Sequence, residues 1–72
     1  MQYEKLTAEF THLHRSYKLI AFHNLNIIDT LIVTDYYGWP LDASQGDVRK
    51  SAINLLKGYN FDFKPEVLRL AI

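Results

Sequence analysis

From Tyr3 to Leu31 the residues Tyr3, Leu6, Phe10, Leu13, Tyr17, Ile20, Asn24, Ile27 and Leu31 follow one another at alternating intervals of three and four. That is a heptad register, and it predicts a long amphipathic helix with a single seam. Glu4, Lys5, Thr11, His12, Arg15 and Lys18 fall away from the seam, as the wet face of such a helix should. Beyond Lys18, the added apolar residues Leu19, Phe22, Leu25, Ile32 and Val33 predict cover from several directions. An unbroken helix over this span would be about 43 Å long, whereas a compact chain of this size is only about 29 Å across. The surplus requires either a break near residues 23–26 or burial against a second copy. The nine seam residues are therefore the expected self-association surface of a homodimer, with Asn24 as a polar register-setting position. The competing reading is α+β. Ile27, Ile28, Thr30, Ile32, Val33 and Thr34 are β-branched and suit a short strand or hairpin around residues 27–41.

In the second half, Gly38 and Pro40 end the first pattern and open a loop. Ser44 with Asp47 resembles a capping box, and Val48, Ala52, Leu55, Leu56 and Tyr59 mark one face of a helix that Gly58 would end. Pro65 suits a first helical position, with Phe63 stapled on Leu68, so residues 64–72 read as a short last helix. Its apolar end must dock somewhere. The expected fold is an all-α single domain, residues 1–72, built as a bundle of three or four helices.

Size and charge narrow the function. A chain of 72 residues buries about 60% of its surface, a marginal core that natural chains commonly supplement with a disulfide, a metal or an oligomeric contact. The absence of cysteine removes the first of these and fits a reducing compartment. Eight basic side chains balance eight acidic ones, which gives little support to generic phosphate-backbone binding. The N-terminus lacks the basic region and apolar run of a signal peptide, and Leu19–Val33 is too short and too interrupted for a bilayer span. A cytoplasmic protein with no membrane association is expected.

Catalytic patterns are weak. No serine lies in a G-x-S-x-G context, and Gly38, Gly46 and Gly58 are too scattered to cradle a phosphate. Glu9 and His12 have the E-x-x-H spacing of helical di-metal centres, but on the predicted helix both lie well off the seam. His12, His14 and His23 cannot converge on one metal from a straight helix. No enzyme activity, cofactor or metal is therefore expected.

Binding is the stronger expectation. Tyr36, Tyr37 and Trp39 form the densest aromatic cluster. In so small a domain they are expected first to cap its own core, and exposure of Trp39 would mark them instead as anchors for a partner. With Leu68 and Ile72 they make up the candidate partner-binding set. The alternative is a helix-turn-helix-like nucleic-acid binder over residues 44–72, using Arg49, Lys50, Asn54, Lys57 and Lys64. The expected role is a small non-catalytic protein–protein interaction module, a regulator, inhibitor or adaptor of the kind an accessory or phage-type gene encodes.

Overall fold

Between Glu4 and His12, Leu6, Ala8 and Phe10 alternate with Lys5, Thr7, Glu9 and Thr11, a period of two that builds a strand with one greasy and one wet side. The computed structural model describes residues 2–69 and realises this pattern. Strands β1 (Glu4–His12), β2 (Arg15–Asn24) and β3 (Ile27–Asp35) form an antiparallel meander. A 3-10 turn, Ala43–Gln45, leads into helix α1 (Gly46–Gly58). The chain then returns as a two-residue strand, β4 (Asp62–Phe63), parallel to β3, and ends its described part in α2 (Pro65–Arg69). The sheet order is β1-β2-β3-β4.

This corrects the all-α expectation, because the first half is sheet and carries no helical seam. The three-and-four spacing was satisfied by accident across strands and turns. Leu6 and Phe10 are half-buried on the helix-facing side of β1, Tyr17 and Leu31 are buried there in β2 and β3, and Ile20 lies on the opposite side. Leu13 occupies a turn, Tyr3 precedes β1, and Asn24 and Ile27 flank the second turn. A seam divided between two faces and two turns cannot zip two helices together. The 43 Å rod does not exist either, since the chain folds back twice into a body 34 × 22 × 21 Å.

Both reversals lack the usual glycine. In the first, Leu13 and His14 have φ of 50° and 67°, as a type I′ hairpin requires of its two central residues. Leu25 opens the second at φ 53°. Each side chain held there costs on the order of 1 kcal/mol. Leu13 and Leu25 are 80% and 84% exposed, so burial does not offset that cost.

A bulge then sets the third strand. Phe22 pairs with Thr30 but His23 with Ile28, leaving Asp29 as the extra residue. The slip lets Ile28 and Leu31, three apart, both enter the core, and it blurs the strand alternation of this segment. Tyr17, Leu19, Ala21 and Val33 complete the sheet's contribution, and Val48, Ala52, Ile53 and Leu56 of α1 with Val67 of α2 cover it. α1 starts one residue later than a Ser44 cap would place it, and the capping box opens the 3-10 turn before it. The box is formed by Asp42 and Gln45: Ser44 N donates to Asp42 Oδ1 and Asp42 N to Gln45 Oε1. No described helix is long and apolar enough to cross a membrane.

Candidate functional site

Among the described residues, helices cover one side of the sheet only. On the other, the cross-strand rows are Lys5, Phe22 and Thr30, then Thr7, Ile20 and Ile32, then Glu9, Lys18 and Thr34. An antiparallel sheet tolerates such an uncovered face when polar and apolar residues share it, as here.

The strand register places the β1–β2 turn and the segment after β3 at the same end of the sheet, because His12 pairs with Arg15 and Tyr17 with Asp35. The second of these, Tyr36-Tyr37-Gly38-Trp39, is held by one carboxylate. Asp35 Oδ1 accepts from Tyr37 N at 2.9 Å and from Trp39 N at 2.8 Å. Gly38 N donates to Asp35 O, Asp35 N donates to Trp39 O, and Thr34 bridges to Pro40. Gly38 takes φ 89°, a left-handed value that a side chain would strain. Lys18 Nζ stands 5.0 Å from the Tyr36 ring centre, and the Tyr36 and Tyr37 rings meet edge to face. Between this turn and the open face lies a shallow depression of about 540 Å³, lined by Thr7, Glu9, Lys18, Ile20, Thr34 and Gly38.

The aromatics do not cap the core, contrary to the first expectation from sequence. Tyr37 is 84% and Trp39 70% exposed, and Tyr36 is also exposed. A turn fixed by several hydrogen bonds holds them in water, so little ordering would remain for binding to impose. Asp35 is not read from the sequence as the anchor of this turn. Its signal was present, since aspartate three residues before glycine is a type I turn pattern and its side chain commonly bonds two residues on.

The other candidates scatter. Leu68 is exposed on α2, on the helical side, and Ile72 lies outside the described residues. Among the cations proposed for nucleic acid, Lys50 and Lys57 are exposed on α1 with Asn54. Arg49 is not free, because its Nη2 donates to Leu31 O at 2.8 Å and burial lowers its pKa. Lys64 is paired with Asp29 across the bulge. That hydrogen bond holds the Asp29 carboxyl below its ordinary value and raises the Lys64 ammonium. Two of the four cations thus serve the fold, and a continuous basic face is not assembled.

Glu9 and His12 are three apart on a strand and so point to opposite sides, which removes the E-x-x-H geometry. His23 packs edge-on against Phe61, with Nδ1 2.7 Å from Leu25 O. Among the described residues no group of three or more His, Asp or Glu could hold a metal ion. Compared with protein-family models, curated proteins and solved structures, the chain has no match.

Proposed function

We propose that this chain is a small non-catalytic protein-interaction module, a regulator, inhibitor or adaptor, whose partner docks on the aromatic turn and the adjoining open face of the sheet. One observation carries the reading: Tyr37 and Trp39 stand in solvent on a turn pinned by Asp35. Large rings with few rotatable bonds, already held in place, bury much area at small entropic cost and are typical centres of binding energy. Around them Lys18 and Glu9 offer polar contacts, and Ile20 and Ile32 offer a flat apolar floor. The balanced charge of the chain suits a mixed protein surface better than a phosphate backbone.

Trp39 is the single tryptophan, so its fluorescence reports this site alone. Proteins captured from native cells by the wild type but not by a Tyr37→Ala, Trp39→Ala double variant of unchanged melting temperature are the candidate partners. Each purified partner should shift Trp39 emission to the blue and lose at least about tenfold in affinity toward the double variant. If every captured protein binds the double variant equally, the turn is not the site. Retardation of DNA or RNA at low salt, abolished by Lys50→Glu and Lys57→Glu, would replace this reading with a nucleic-acid one.

A further inference from the structure

The sheet has two long outer strands, and only one is finished. β4 pairs with Ile27 and Ile28, Arg49 takes the Leu31 carbonyl, and the turn folds Trp39 O onto Asp35 N, so the outer side of β3 is occupied at both ends and at its middle. β1 has nothing comparable. Among the described residues, no backbone group of Glu4–His12 bonds to anything except β2. In a two-residue hairpin the closing pair, here His12 and Arg15, exchanges both hydrogen bonds, and bonding then alternates along the strand. The even-numbered residues are thus committed to β2. Lys5, Thr7, Glu9 and Thr11 turn their amides and carbonyls outward.

We propose that β1 pairs antiparallel with β1 of a second copy, across a two-fold axis at Thr7, and joins two sheets edge to edge. A lysine on an exposed edge ordinarily discourages pairing, because a foreign strand leaves it without a partner. Lys5 and Glu9 lie two residues to either side of Thr7 and on the same face. An antiparallel copy in this register puts Lys5 opposite Glu9 twice, and Thr7 opposite itself. The strand repels generic partners and fits its own image. About six backbone hydrogen bonds would form within the span of β1.

The helical side supports the same occupant. α1 leaves Leu6 and Ala8 half-buried beside an apolar groove of about 460 Å³, which Leu55, Tyr59 and Phe61 also line. A two-fold axis perpendicular to the sheet keeps both helical sides together, so Leu6 of one copy comes beside Ala8 of the other along that groove. This surface is distinct from the aromatic turn. A dimer of this kind leaves Tyr37 and Trp39 free.

Charge reversal tests the pairing. In sedimentation or light scattering, the wild type should move with concentration from 8.4 kDa toward twice that mass. Lys5→Glu alone places Glu opposite Glu, and Glu9→Lys alone places Lys opposite Lys. Each should raise the dimer Kd at least about tenfold. Mixed one to one, the two variants are complementary at both positions and should dimerise again. A wild type that stays monomeric at every concentration overturns the proposal, as do single variants that dimerise unchanged. Because a variant could lose its fold, cysteine placement gives a second test in a chain that has none. With a short bis-maleimide, Thr7→Cys should cross-link to a dimer at concentrations where Thr30→Cys, exposed on β3, does not. Equal yields, or none at Thr7, contradict it.

Discussion

The outer sides of β1 and β3 belong to one sheet but are treated in opposite ways. Along β3, three unrelated devices occupy the outward backbone groups: a parallel strand, an arginine from α1 and a folded-back turn. Along β1, a regular nine-residue strand, Lys5, Thr7, Glu9 and Thr11 turn their backbone groups outward with only side-chain charges as protection. The difference follows from the connections. The segment after β3 has to cross over α1 to β4, so chain is at hand on that side, whereas no described backbone group bonds along the outer side of β1. A small domain can cover what its own loops reach. What they do not reach it must guard with side chains or share with another molecule.

The largest expected effect is at the guarded edge. Arg49→Met keeps much of the apolar stem but removes the donor to Leu31 O, and it should cost about 1–2 kcal/mol in urea titrations. It should also open a second pairing edge, giving higher oligomers that Lys5→Glu, by closing the β1 edge, cuts back to dimers. An Arg49→Met protein as stable and as small as the wild type would mean that the arginine guards nothing.

A smaller change, of opposite sign, is expected where β1 ends. Replacing Leu13-His14 with Asn-Gly gives the turn the residues its positive φ values call for, and should raise stability by about 1 kcal/mol. No gain in thermal midpoint would show that the turn stores no strain.

The smallest effect concerns the ion pair at the bulge. Because the carboxyl of Asp29 is lowered by Lys64, its contribution is present above the ordinary carboxylate value of about 3.9 and is lost as pH falls through the folded-state value. Lys64 is raised, so its contribution is present below about 10.4 and is lost as pH rises through its folded-state value. Asp29→Asn should flatten both limbs of the stability profile, and unchanged limbs would assign the pH dependence elsewhere. Lys64 is about half exposed and Asp29 partly so, which lets solvent screen the pair, so the amplitude is small and should shrink with salt.

Particular residues show why half of this architecture could be read from the chain and half could not. Val48, Ala52 and Leu56 repeat at helical spacing with no strong β pattern to compete, and α1 lies over them. Pro65 opens α2. In the first half, the alternation of Leu6, Ala8 and Phe10 with Lys5, Thr7 and Glu9 was legible, but the turns that would have divided it into strands were not. Leu13-His14 and Leu25-Asn26 carry no glycine or proline, so an accidental heptad ran through them unbroken. The bulge at Asp29 disguised β3 further by setting Ile28 and Leu31 three apart, a helical interval. The β-branched run from Ile27 to Thr34 is the local signal that points correctly to β3, and the longer accidental pattern masks it. Of the candidate site, the aromatic cluster was visible in sequence, but its exposure depends on Asp35 and on where the register places the turn.

Amide hydrogen exchange, followed from dilute to concentrated protein, tests the contrast between the two edges most directly. The amides of Lys5, Thr7 and Glu9 should exchange freely when dilute and slow together as concentration rises, while Asp35 stays protected throughout. Protection of those three that is already present in dilute monomer, or that never appears on concentration, would contradict an open edge that closes on its own copy.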